Sequence, residues 1–139
     1  MAYQYEAGFI GAGNMGGALA RAAVKKVTGE QVAVACSSPA HSAAAAERLG
    51  CQASAPEEIL SSSKFVFLGV KPQMIDGVAQ SLAAPIAASE SIFVSMLAGV
   101  QLERLTRLLG ADKKIIRILP NTACAVGKGV VLYLSLIHI

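Results

Sequence analysis

Short apolar runs alternate with longer segments of helical periodicity along this chain. The run over residues 64–70 is apolar on both faces, which is typical of a central parallel strand covered on both sides. The runs that we interpret as strands are residues 7–10, 31–36, 51–53, 64–70, 91–99 and 114–120. Their alternation with helical segments predicts an α/β fold, a doubly wound parallel sheet with right-handed crossovers.

Helix start and stop signals lie between these runs. Ser38 precedes Pro39, and Gly50 follows the periodic segment, which is the pattern expected of a capped helix. Ser54 with Glu57 three residues later predicts a capping box at the start of a shorter helix.

The length and composition are those of one ordinary domain. The chain has 139 residues, of which 54% are hydrophobic, but much of that excess is alanine. No apolar run approaches the roughly 20 residues that cross a bilayer, so we expect no membrane segment. The amino-terminal segment has no basic region followed by an apolar stretch, and a cytoplasmic chain is the simplest interpretation.

Cysteines, histidines and charge exclude several functions. The three cysteines form no C-x-x-C pair, which fits a reducing compartment, and the two histidines are far apart. We therefore expect no metal site. The net charge is +3, the basic residues are scattered and aromatic residues are few, so we expect no nucleic-acid partner.

Gly11, Gly13 and Gly16 spell G-x-G-x-x-G between a predicted strand and a predicted helix. The first glycine allows a sharp turn, the second lets the backbone approach a pyrophosphate, and the third lets the helix pack closely on the strand. The same candidate loop contains Ala12, Asn14 and Met15. A glycine-rich turn without a ligand is the alternative, but the order of strand, motif, helix and second strand favours a dinucleotide.

The end of the second predicted strand bears on which dinucleotide is bound. An NAD-selective site usually has Asp or Glu there, whereas this chain has Ser37 and Ser38. Neutral hydroxyls at a helix start can donate to a 2′-phosphate and do not repel it, so the pattern favours NADP, with NAD as the alternative. Ser38 also fits a simple N-cap. His41 either adds a hydrogen bond to the phosphate or is a solvated helix residue.

Other strand ends should face the same crevice, because parallel strands present their carboxyl ends to the ligand. The candidates there are Val70, Lys71 and Pro72 after the fourth strand, Ala98 and Gly99 after the fifth, and Asn121 after the sixth. Lys71 either steadies a phosphate or ribose, or is an exposed lysine before a helix. Small residues at 98 and 99 leave room for a nicotinamide ring. Asn121 either orients the nicotinamide amide or substrate, or forms a turn.

Four stretches, "GFIGAGNMGGALA", "VKPQ", "SMLAGV" and "IIRILPNTA", resemble in this order the N-terminal domain of the pyrroline-5-carboxylate reductases, over about residues 8–132. The resemblance implies an NADP-dependent oxidoreductase that reduces the imine 1-pyrroline-5-carboxylate to proline. It places residues 11–16 at the pyrophosphate and Ser37 at the ribose phosphate. It also places residues 70–72 and Ala98 along the path to the nicotinamide.

Some positions depart from the family pattern. Leu119 and Ala123 are mild apolar replacements next to the Pro-Asn-Thr motif, and "SAPEE" lacks an Asn that contacts the adenosine in many members. The final "LSLIHI" does not resemble the family and looks either like a translated sequencing adapter or like part of a short genuine strand.

The domain organisation expected from the resemblance is a dinucleotide-binding domain over residues 1–133 and a tail over residues 134–139. We expect from the resemblance that the family's helical dimerisation domain is absent here, so no catalytic residue or proton donor is assigned, and this chain alone should have weak or no activity. The complete protein should be a homo-oligomer acting on a small-molecule imine. The alternatives are a stand-alone dinucleotide-binding module and a related imine or hydroxy-acid dehydrogenase.

Overall fold

A seven-stranded sheet runs through residues 3–119 and 132–136, the part of the chain that the computed structural model describes. The strands are β1 (Tyr5–Ile10), β2 (Val32–Ala35), β3 (Gln52–Ala53), β4 (Ser63–Leu68), β5 (Ile92–Ser95), β6 (Lys114–Leu119) and β7 (Leu132–Leu136). Their order is β3-β2-β1-β4-β5-β6-β7. Neighbouring strands are parallel except β6 and β7, which are antiparallel. The order of the six parallel strands is that of the doubly wound dinucleotide-binding fold, which confirms the predicted fold class.

Helices cover the connections between the parallel strands. They are α1 (Asn14–Lys26), α2 (Pro39–Leu49), α3 (Pro56–Ser62), α4 (Ile75–Ser81), α5 (Ala83–Ala88) and α6 (Leu102–Leu109), with 3₁₀ turns at Gly29–Gln31 and Pro72–Met74. All six predicted strands are present, with ends shifted by one to a few residues. Each helix in the described part of the chain is too short or too polar to span a membrane.

The sheet is buried on both faces, and β2 shows how. Ala33 and Ala35 belong to one hydrophobic cluster, whereas Val32 and Val34 belong to the cluster on the other face. Because both faces are covered, the strand needs apolar residues at every position. On the face of the α1 and α2 helices, the rings of Phe9 and Phe67 stack with centroids 4.5 Å apart.

The predicted start and stop of α2 are confirmed. Ser38 is the N-cap and accepts a hydrogen bond from the backbone N–H of His41 at 3.2 Å, with Pro39 at the first helical position. Gly50 ends the helix in the left-handed conformation, with φ 74°. Glycine favours this conformation because it has no Cβ.

The capping box predicted for α3 is wrong. The helix begins at Pro56 after Ala55, with no side-chain cap from the described residues. A residue before proline is held extended, so Ala55 cannot join the helix and Ser54 lies too far upstream to cap it. The backbone N–H of Ser54 instead donates to the carbonyl of Val34 at 3.0 Å, which extends the pairing of β3 with β2.

Gly8 has a packing role that the sequence pattern did not indicate. A Cβ at this position in β1 would overlap the Ser63 hydroxyl and lie 2.5 Å from Cγ2 of Ile59. The missing side chain therefore lets α3 lie directly against β1 and the start of β4.

A buried lysine ties α5 to the amino end of the sheet. Lys113 is 6% exposed, and its Nζ donates to the carbonyls of Ala87 at 3.0 Å and Ser89 at 2.8 Å. The Ser89 hydroxyl in turn donates to the carbonyl of Leu60 at 2.7 Å. These bonds satisfy backbone carbonyls where α3 and α5 end, so the ammonium acts as a helix C-terminal cap.

We expect Lys113→Ala to lower the free energy of unfolding by about 1–3 kcal/mol, because it leaves carbonyls without a donor and opens a gap. Urea denaturation measures the loss. The matched control is Lys114→Ala at the neighbouring exposed position, which should change stability by less than about 0.5 kcal/mol. Equal stability of the two variants would contradict the capping role.

Candidate functional site

A cleft opens where the carboxyl ends of β1, β2 and β4 meet. It encloses about 720 Å³ and is lined by the glycine loop after β1, the loop after β2, and the loop and helix after β4. A second space of about 480 Å³ adjoins it beside the start of α2 and shares Cys36, Ser37, Pro56 and Glu57 with it. The cleft lies at the switch point of the sheet, where α/β proteins of this topology bind ligands.

Three glycines bring the walls of the cleft together by backbone contact. Gly11 has φ 92°, and a Cβ there would lie 2.7 Å from the backbone of Gly69 and Val70. A Cβ on Gly16 or on Gly69 would lie 2.5 Å from the Gly11 carbonyl oxygen. The turn out of β1 and the close approach of α1 therefore agree with the roles predicted for the first and third glycines of the motif.

Gly69 was not among the candidate residues, although a glycine directly after an apolar strand is a sequence signal for a role at the strand end. Its backbone N–H donates to the carbonyl of Ile10 at 2.8 Å, which continues the β1–β4 pairing into the loop. On the other side of β1, the N–H of Gly11 donates to the carbonyl of Ala35 at 2.8 Å. The end of β1 is thus hydrogen-bonded to the loop after β4, and the first residue of the glycine loop to the end of β2.

Gly13 faces open space. A Cβ built on it would meet no atom of the described structure within 4 Å, and the residue lines the cleft. Gly13 is also the N-cap of α1, where no described side chain caps the helix and the first turn has no acidic residue. The first amides of a helix lack intrahelical acceptors and attract anions. This cradle fits a pyrophosphate.

Ser42, a residue missed at the sequence level, organises the loop after β2. The backbone N–H of Cys36 donates to its hydroxyl oxygen at 2.8 Å, and that hydroxyl donates to the carbonyl of Ser38 at 3.0 Å. Ser42 is buried on the first turns of α2. Its position four residues after the N-cap, where a serine hydroxyl reaches back to the backbone, was the available signal.

The hydroxyls of Ser37 and Ser38 converge on one ring nitrogen. Nδ1 of His41 lies 3.1 Å from Oγ of Ser37 and 3.0 Å from Oγ of Ser38. Ser37 and His41 line the larger space, and Ser38 lines the adjoining one. The β2 end thus presents two serine hydroxyls, which fit a phosphate better than an acidic side chain would.

The charged side chains lining the larger space within the described residues are Lys71 and Glu57. Lys71 is exposed in the loop after β4, and Glu57 is exposed in the first turn of α3. The wall formed by the end of the 3₁₀ turn and by α4 is more apolar and includes Met74, which is 50% exposed, and Val78. Among the described residues, no group of three His, Cys, Asp or Glu is placed to hold a metal ion.

The structure brings some candidate residues together and leaves others apart. Those lining the larger space are Gly11, Ala12, Gly13, Ser37, Val70 and Lys71. Pro72 begins the next 3₁₀ turn and does not line it, and Ala98 and Gly99 form an exposed turn after β5 that does not line it either. Asn14 and Met15 begin α1, and Asn121 lies outside the described residues.

The two described cysteines are free thiols in different surroundings. Burial, together with a smaller effect of the nearby Cys36, raises the pKa of Cys51 to about 11. Cys36 lines the cleft. Because the thiolate is the reactive form, Cys51 should be the less reactive of the two.

The strand order, the glycine loop at the start of α1 and the cleft at the switch point define a Rossmann-type dinucleotide-binding domain. The family model described as "NADP oxidoreductase coenzyme F420-dependent" matches residues 6–99. The chain belongs to this oxidoreductase family, and the geometry of its cleft fits a nicotinamide dinucleotide.

Two curated relatives agree with the resemblance drawn from the sequence motifs. The chain is 36% identical over 125 residues to pyrroline-5-carboxylate reductase of Escherichia coli (strain K12), covering 88% of this chain and 46% of that protein. It is 34% identical over 126 residues to pyrroline-5-carboxylate reductase 3 of Macaca fascicularis, covering 89% and 46%. The chain therefore spans about half the length of these relatives.

A solved structure confirms the fold. The pyrroline carboxylate reductase of Plasmodium falciparum, crystallised with NADP bound, superposes with a TM-score of 0.81 at 23% identity, covering 100% of this chain and 51% of that one.

We expect Gly16→Ala to destabilise the fold by about 1–3 kcal/mol, because its Cβ would press on the Gly11 carbonyl. The matched control is Gly17→Ala, whose Cβ would meet only the carbonyl of Ala12 at an ordinary 3.5 Å. This control should stabilise α1 by up to about 1 kcal/mol, since alanine is the better helix former. Thermal unfolding compares the two, and similar effects would contradict the contact at Gly16.

Alkylation with iodoacetamide at neutral pH should modify Cys36 faster than Cys51, because the raised pKa of Cys51 leaves little thiolate there. Added NADP should slow modification of Cys36, which lines the cleft, and leave the rate at Cys51 unchanged. Peptide mass spectrometry reads each site, so Cys51 is the internal control. If the nucleotide does not change the alkylation rate at Cys36, nucleotide binding in this cleft is contradicted.

Proposed function

We propose that this chain is the cofactor-binding half of an NADP-dependent reductase that converts the imine 1-pyrroline-5-carboxylate to proline, a step of proline biosynthesis. The observation that carries the proposal is the 36% identity to the Escherichia coli pyrroline-5-carboxylate reductase across 88% of the chain. The glycine cradle and the cleft at the carboxyl ends of β1, β2 and β4 support it, because they provide a site of suitable shape for the cofactor.

The loop after β2 supports NADP rather than NAD as the cofactor. Ser37 and Ser38 occupy the positions where an acidic side chain would repel a 2′-phosphate, and the start of α2 favours an anion. The Plasmodium falciparum relative was crystallised with NADP. Glu57, exposed in the first turn of α3 and lining both spaces, is the acidic side chain that a bound phosphate would have to avoid.

The residues of this chain would bind and orient the cofactor. When bound, NADPH supplies a hydride from C4 of its nicotinamide, which reduces the imine carbon. The amides at the start of α1 would hold the pyrophosphate, and Lys71 would add a positive charge to the same cleft. Val70, Pro72 and Ala98 would lie along the path to the nicotinamide end, and Asn121 would orient the nicotinamide amide or the substrate.

The substrate pocket and the proton donor would come from the part of the relatives that this chain does not match. We propose that the complete protein is a homo-oligomer in the cytoplasm, where free thiols such as Cys36 persist. Residues 1–133 would form the cofactor domain and residues 134–139 a tail, although residues 134–136 pair with β6 as part of β7.

The test replaces the matching first half of the Escherichia coli relative with this chain and follows NADPH oxidation in the presence of 1-pyrroline-5-carboxylate. We expect imine-dependent oxidation by the hybrid that is faster with NADPH than with NADH, and little or none by the isolated chain, because half of the positioning apparatus is then missing.

Cofactor binding by the hybrid, measured by the fluorescence of NADPH, is the control for folding. A hybrid that binds NADPH but does not oxidise it with this imine would refute the proposed substrate. Activity with a different imine or with a hydroxy acid would instead identify that compound class as the substrate. The unmodified Escherichia coli enzyme sets the reference rate.

A further inference from the structure

The two hydroxyls proposed to receive the 2′-phosphate are already engaged by a single imidazole. Nδ1 of His41 lies within hydrogen-bond distance of Oγ of both Ser37 and Ser38, at 3.1 and 3.0 Å. The backbone N–H of His41 also donates to Oγ of Ser38 at 3.2 Å. The state of this ring nitrogen therefore decides what the two hydroxyls can offer to a ligand.

A hydroxyl has one hydrogen to donate, so its direction matters for binding an anion. If Nδ1 has no hydrogen, a serine hydroxyl donates to it and turns its own lone pairs toward the cleft, which repels a phosphate. If Nδ1 carries a hydrogen, it donates to a serine oxygen, and the hydrogens of both hydroxyls are free to point at a phosphate oxygen. Only the second arrangement makes the pair of serines an anion site.

We propose that His41 is a positioning residue for nucleotide selectivity, which holds a hydrogen on Nδ1 and thereby orients the Ser37 and Ser38 hydroxyls as donors to the 2′-phosphate. The inference rests on the proposed use of NADP. It assigns discrimination between NADP and NAD to the ring as well as to the serines, because the nucleotide without the phosphate does not need these donors.

The helix does not need the imidazole for its own structure. The Ser38 cap uses the backbone N–H of residue 41, which any residue except proline supplies. The Ser42 hydroxyl holds the loop through Cys36 and the Ser38 carbonyl, and the His41 side chain is exposed. A purely structural role for the ring would thus leave nucleotide selectivity unchanged.

The experiment measures the dissociation constants of NADPH and NADH for the 139-residue chain and its variants by nucleotide fluorescence, without any imine. His41→Ala should weaken NADPH binding about tenfold, the effect of losing correctly oriented donors to a charged group, and change NADH binding less than about twofold. His41→Asn should keep NADPH binding within about threefold of the original, because the side-chain amide supplies a permanent N–H near the position of Nδ1.

Several results would overturn the inference. His41→Ala could weaken both nucleotides equally or neither, His41→Asn could fail to restore the NADPH preference, or the unchanged chain could show no preference. Because no imine is present, loss of the proposed substrate activity in the hybrid enzyme leaves this test intact, and a failure confined to the His41 variants leaves the reductase proposal standing. Urea denaturation of each variant confirms that the fold is retained.

Discussion

The carbonyl oxygen of Gly11 is the point on which the cleft depends. A Cβ on either Gly16 or Gly69 would lie 2.5 Å from it, and a Cβ on Gly11 itself would lie 2.7 Å from the Gly69 backbone. The end of β1, the first turn of α1 and the end of β4 therefore meet only because these three side chains are missing. Interiors are closely packed, and a methyl group inserted here would force these segments apart. The direction of the first α1 backbone N–H groups and the position of the loop after β4 both follow from this contact.

A second layer of organisation lies at the β2 end and concerns hydrogen bonds rather than volume. Ser42 is buried and holds the backbone of the loop, whereas Ser37 lines the cleft with a rotatable hydroxyl and His41 with a ring nitrogen whose hydrogen-bond role depends on the tautomer. In this loop the backbone is held in place, whereas the hydrogen-bonding side chains can change their donor directions. The glycine contact makes a dinucleotide site, and the β2 loop is suited to distinguish between closely related dinucleotides.

The predictable part of the fold depends on local signals. The capped start of α2 at Ser38, the glycine that ends it and the apolar strands all follow from residues within a few positions of one another. The capping box at Ser54 was wrong although it used the same kind of signal, because Pro56 restricts the residue before it and β2 offers Ser54 a backbone partner. A local capping signal predicted the helix start correctly where no distant strand competed for the backbone groups of the capping residue.

By itself, the sequence determined the order of strands and helices, the glycine motif between β1 and α1, and the absence of an acidic residue at Ser37 and Ser38. Only the tertiary structure decided that Gly69 completes the glycine contact, that Gly8 makes room for α3, and that Lys113 caps α5 from the segment just before β6. The physical reason is that these roles depend on atoms more than 20 residues away along the chain, which only the folded sheet brings within contact distance.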